Sequence, residues 1–134
     1  MKKLEVFGAA KLKGHIRISG SKNASLPILA ATLLSNKKIS LANLPRVKDI
    51  ETMILLLKSL GSVIDDNKKE LIIKNTRQIK TFAAYSLVKT MRAGILVLGP
   101  LLAKFGKAKV SLPGGCAMNK TCRYSFASSI KTWS

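Results

Sequence analysis

The chain has 134 residues, 47% of them hydrophobic, and carries 24 Lys and Arg against six acids, for a net charge of +18. That is one domain, or a piece of one, with enough apolar content for a core, which excludes disorder. No run reaches the roughly 18 apolar residues of a membrane span, and the start MKKLEVFGAAKLKGH lacks the long apolar core of a secretion signal, so we expect a cytoplasmic protein. Cys116 and Cys122 make neither a disulfide framework nor a zinc ligand set. The positive charge points to an anionic partner, but 19 lysines against five arginines are spread along the whole chain. A dispersed surplus of this kind also arises from composition alone.

In chain order, HIRIS (15–19) alternates between glycines and predicts a strand. NASLPILAATLL (23–34) predicts a mostly buried helix, with Pro27 in its first turn. KKISLANLP (37–45) predicts a strand and turn. KDIETMILLLKSLG (48–61) predicts an amphipathic helix, with Ile50, Met53, Ile54, Leu57 and Leu60 on one face and Gly61 as its cap. SVIDD and ELIIK, split at 67–69, predict a hairpin, and Gln78–Tyr85 predicts a loop. Residues 87–106 predict a helix broken or kinked at Gly99–Pro100, and KAKVSLP (107–113) a last strand. The order is β-α-β-α-β-β and then α-β, an α/β pattern. ATLLSNKKISLANLP and GPLLAKFGKAKVSLPGG share a Leu-Leu helix end, a basic link and a Ser-Leu strand, which hints at repeated units.

Three stretches carry chemical possibilities. In GSKNASLP (20–27) a glycine leads into a helix start, where backbone N–H groups and Lys22 favour an anion; equally, Lys22 is one more surface lysine and Asn23 a cap. It is not a Walker A loop. In KTMRAG (89–94) Arg92 can hold a carboxylate or phosphate through two hydrogen bonds, or simply end a helix in solvent. In PGGC (113–116) a Gly-Gly turn presents the Cys116 thiol on a loop, where cationic surroundings can tune it for proton transfer; the alternative is a small apolar filler. The only histidine, His15, lies in the predicted strand.

Taken in order, GSKNASLPILAATLL, MRAGILVLGPLLAKFGKAKVSLP and GGC resemble the UDP-N-acetylglucosamine enolpyruvyl transferases of the EPSP synthase family, from Met1 to about Met118. The resemblance implies repeated βαβαββ units of the inside-out α/β barrel fold, here truncated to part of one domain. It implies transfer of the enolpyruvyl group of phosphoenolpyruvate to the 3'-hydroxyl of UDP-N-acetylglucosamine, the first committed step of peptidoglycan synthesis, without cofactor. It assigns Lys22 and Asn23 to phosphoenolpyruvate, Arg92 to the UDP-sugar, and Cys116 to general-acid protonation and fosfomycin alkylation. Residues 1–21 are then N-terminal strands packed partly with a second domain, and 22–118 an incomplete first domain. Both substrates are small molecules; no nucleic acid or membrane is implied, and no partner protein is identified.

After Cys116 the pattern departs. The family reads Thr-Arg-Pro-Val/Ala-Asp where this chain reads MNKTCRYSF, so Lys120 and Arg123 inherit no role. A one-base shift from Asn119 lets the codons read Thr-Arg-Pro-Ala-Asp and necessarily turns Trp133 into glycine. We therefore expect 119–134 to be an out-of-frame tail, and the truncated chain to lack activity. A small basic nucleic-acid-binding protein is the alternative, favoured by charge but without an aromatic stacking platform. A structural protein retaining the fold without chemistry is a third.

Overall fold

The computed structural model describes residues 3–8, 11, 13–67, 69–83, 92–111 and 121–125, with backbone alone at 92, 93, 111 and 121–125. Helix α1 (Lys22–Ala31) runs into a 3-10 turn (Thr32–Leu34), then strand β1 (Ile39–Ala42) and helix α2 (Lys48–Leu60). Strands β2 (Ser62–Asn67), β3 (Glu70–Asn75) and β4 (Phe82–Ala83) follow. A 3-10 segment (Arg92–Val97), helix α3 (Leu98–Phe105), β5 (Lys107–Ser111) and β6 (Thr121–Ser125) complete the order.

Helix α2 forms for the reasons its sequence announces. Ile50, Met53, Leu57 and Leu60 are buried at helical spacing, with Leu56 beside them. Asp49 and Glu51 complement the N-terminal end of the helix dipole and Lys58 the C-terminal end. Gly61 closes it in the left-handed region at φ 113°, and a Cβ there would lie 3.0 Å from the Gln78 carbonyl oxygen.

The first sheet has the order β1-β3-β2, antiparallel throughout, with Ile39 opposite Ile73 and Ile64 opposite Ile73 on the other side. The second has the order β4-β5-β6, with β4 parallel to β5 and β6 antiparallel to it. The helices cover these sheets around one core, in which Leu29, Leu33, Met53, Leu56, Leu57, Leu60, Ile73, Val97, Leu101 and Val110 are fully buried. A buried polar node ties the layers together. The Asn75 side-chain amide donates to the carbonyls of Thr32 (2.6 Å) and Ser35 (2.7 Å) and accepts from the Ser62 hydroxyl (2.6 Å). The end of α1 is thereby fastened to the β2–β3 hairpin. Lys104 of α3 reaches the same turn, donating to the Leu33 carbonyl (2.8 Å) and Asn36 Oδ1 (2.6 Å).

Several expectations are corrected. Residues 15–19 form no strand: Ile16 and Ile18 are 89% and 80% exposed, because no strand among the described residues gives their backbone a ladder. The helix from Asn23 is buried along one side only rather than mostly buried, with Ile28 half exposed, and Pro27 falls in its second turn. Gln78–Tyr85 contains a short strand, β4, recruited by β5. The second helical stretch changes from 3-10 to α between Val97 and Leu98, and Pro100 sits in the first turn of α3, where its missing N–H costs nothing. β5 is not the last strand; β6 follows it within the segment expected to be an aberrant tail. The part of the predicted helix at 87–91 lies outside the described residues.

Candidate functional site

The start of α1 is built by a close backbone contact. The Gly20 N–H donates to the Asn43 carbonyl at 3.1 Å, and a Cβ at Gly20 would stand 2.1 Å from that oxygen. Only glycine lets the lead-in to α1 approach the β1–α2 turn so closely. Asn43 itself turns the chain at φ 57°, a left-handed conformation that asparagine tolerates. The N-termini of α1 and α2 are thus held side by side.

Ser21 is the N-cap of α1, in extended conformation, and its side chain makes no capping bond. Its carbonyl receives both the N–H and the hydroxyl of Ser25, at 2.9 and 2.8 Å. Among the described residues no side chain caps the first N–H groups of the helix, and no acid lies in its first turn. Lys22 and Asn23 are the first two helical residues, both exposed, so Asn23 is not the cap. The Lys22 ammonium pairs with the Asp49 carboxylate of α2 at 2.9 Å. What results is a helix start without a side-chain cap, whose first residue is a lysine paired to Asp49; the backbone donors at such a start suit an anion.

The 3-10 segment that begins at Arg92 packs against α1. The Arg92 side chain and Cys116 lie outside the described residues. Sequence reasoning singled out Lys22 and Asn23 as candidates, and did not point to Asp49 or the Gly20–Asn43 contact. The acid at the start of α2 was visible as a first-turn residue; that it faces Lys22 depends on packing between segments distant in sequence.

A separate open groove of about 550 Å³ lies between α2 and the first sheet, lined among others by Arg17, Leu41, Leu44, Arg46, Ile54 and Asp66. Arg46 forms a two-pronged bond to Asp66 at 2.7 and 2.9 Å, and this hydrogen bond and charge raise the guanidinium pKa further above its usual value. Lys22 does not line this groove. Among the described residues no cluster of His, Cys, Asp and Glu could hold a metal, and no helix is long and apolar enough to cross a membrane.

Residues 6–121 match the family model for EPSP synthase (3-phosphoshikimate 1-carboxyvinyltransferase). The chain belongs to that family. It is 95% identical over 118 residues to the UDP-N-acetylglucosamine 1-carboxyvinyltransferase of Pelagibacter ubique, covering 88% of this chain and 28% of that protein. The protein of the same name from Cellvibrio japonicus is 55% identical over 119 residues, with the same coverage. The chain thus spans a little over a quarter of the length of these relatives. In structure it is similar to the enolpyruvyl transferase NikO from Streptomyces tendae, with a TM-score of 0.64, 19% identity, and coverage of 78% of this chain and 24% of that one. At that identity the likeness speaks for the fold: the chain has part of one domain of the enolpyruvyl transferase architecture.

Proposed function

We propose that the chain carries the N-terminal share of a UDP-N-acetylglucosamine 1-carboxyvinyltransferase site. The observation that carries this is the 95% identity to a protein of that name, together with Lys22 and Asn23 standing at an uncapped helix start. Lys22 and Asn23 bind the phosphate and carboxylate of phosphoenolpyruvate, with helix N–H groups supplying further donors. Arg92 holds the UDP-sugar. The Cys116 thiol donates its proton to the methylene carbon of phosphoenolpyruvate while the 3'-hydroxyl of UDP-N-acetylglucosamine attacks the adjacent carbon. The hydroxyl proton goes to a base; in the second half the new methyl group gives up one proton to a base as phosphate leaves, which forms the enol ether. Both partners are small cytoplasmic molecules, which sets the compartment. Residues 1–21 pack with a second domain, 22–118 belong to the first domain, and 119–134 are an out-of-frame tail.

The 134-residue polypeptide covers too little of the relatives' length to close a two-domain cleft, and it does not turn over alone. The test has two arms. Incubated with both substrates, the purified chain releases no phosphate; turnover that disappears in Cys116→Ser refutes this inactivity. In NMR titrations phosphoenolpyruvate shifts amides between Gly20 and Ala30, and Lys22→Gln abolishes the shifts. Absence of any shift there overturns the binding assignment.

A further inference from the structure

The pinned contact between Gly20 and Asn43 has a second effect on Lys22. It fixes the first residues of α1 beside the first turn of α2, so that Asp49 stands 2.9 Å from the Lys22 ammonium across the gap. Both groups are partly open to solvent, at 48% and 39% exposure. We propose that Asp49 is a positioning residue, ordering the Lys22 side chain at the first turn of α1 so that the remaining ammonium hydrogens are available to an arriving anion; the anion being phosphoenolpyruvate rests on the function proposed above. Three features support it. An ammonium has three donors, so the bond to one carboxylate leaves two for a ligand. Lysine is a flexible point charge whose four-carbon stem must be ordered before it binds, and a fixed partner does that ordering in advance. The carboxylate also belongs where it is, since an acid in the first turn of α2 is favoured by that helix's own dipole. Asp49 is therefore held in place independently of Lys22.

The competing possibility is a plain surface ion pair, in which Asp49 merely repels anions. The two differ in sign. The experiment is acetylation of the native chain, Asp49→Asn and Asp49→Glu with acetic anhydride, with and without phosphoenolpyruvate, read lysine by lysine by mass spectrometry. Lys104, whose ammonium is bonded to the Leu33 carbonyl and Asn36 in the folded chain, reports on folding. We expect Lys22 to be labelled about two- to fivefold faster in Asp49→Asn, the range an exposed ion pair supports, and the Asp49→Glu form to return toward native. Phosphoenolpyruvate should protect Lys22 less in Asp49→Asn than in the native chain, although losing a carboxylate by itself favours an anion. Unchanged Lys22 labelling in Asp49→Asn, or stronger protection by phosphoenolpyruvate, overturns the proposal. If labelling rises but phosphoenolpyruvate protects Lys22 in none of the forms, the pair is a plain surface ion pair, and the positioning role fails together with the phosphoenolpyruvate assignment.

Discussion

Replacing Gly20 by alanine tests the contact on which the start of α1 depends. The added Cβ would lie 2.1 Å from the Asn43 oxygen, 3.3 Å from its carbonyl carbon and 3.5 Å from Pro45 Cδ. A tolerable carbon–oxygen approach is about 3.3 Å, so one backbone must retreat by roughly an ångström. The obstacle is main chain, which cannot rotate away as a side chain could. Forced overpacking costs about 1–3 kcal/mol, and losing the 3.1 Å Gly20–Asn43 hydrogen bond adds about 0.5–1.5 kcal/mol. Reduced freedom of the unfolded chain returns about 0.4–1 kcal/mol. The net expectation is a loss of about 2–3 kcal/mol. Urea unfolding measures it: the midpoint falls while the slope with denaturant stays constant. Gly14→Ala is the control. Gly14 lies outside helix and strand, and a methyl group added there would meet nothing within 4 Å, so the same change should be neutral or stabilise by up to about 1 kcal/mol. A Gly20→Ala loss below about 0.5 kcal/mol, the ordinary range for a surface change, would refute the steric argument.

Other consequences follow from the buried links. Asn75→Ala removes the partner of two backbone carbonyls and a hydroxyl, and should cost about 2–4 kcal/mol in the same urea assay. Leu101→Ala, at a fully buried position of α3, should cost about 2–5 kcal/mol by cavity formation. Lys104→Met keeps the aliphatic stem but loses both bonds to the end of α1, and should cost about 1–2 kcal/mol; an unchanged midpoint would mean that water replaces the ammonium at no loss.

The elements that could be read from the sequence are those whose causes are local. Helix α2 carries its apolar spacing, first-turn acids and terminal glycine within one stretch, and the β2–β3 hairpin carries its turn between two apolar runs. Lys22 and Asn23 stood out because a glycine leads into a helix there. What escaped was decided elsewhere in the chain. β4 spans two residues and exists through its pairing with β5, while β6 has no apolar period but supplies the other neighbour of β5. Asp49 faces Lys22 because α1 packs against α2, with Gly20 close against Asn43. The Asn75 node joins side chains and carbonyls from three separate segments, so no local pattern announces it.

The strand expected at 15–19 shows the limit of periodicity from the other side. In the second sheet β4 precedes a helical stretch and returns parallel to β5, with the Lys109 N–H bonded to the Thr81 carbonyl at 2.8 Å. Residues 15–19 stand in the same relation to α1 and β1, and the Gly20–Asn43 bond is the single backbone link made where such a pairing would begin. Upstream of it Ile16 and Ile18 remain exposed, as do Leu4, Val6 and Phe7. Alternation places Ile16 and Ile18 on one face of the segment, but an apolar face stabilises a strand only when something covers it. None of the described residues does so, and one hydrogen bond does not offset the entropy of ordering five residues. Amides from Ile16 to Ser19 should therefore exchange within about tenfold of the unstructured rate, as frayed segments do, while Leu71 and Ile73 of β3 are strongly protected. Protection at Ile16 and Ile18 comparable to that of β3 would show that the segment pairs after all, and that its apolar face has found cover in solution.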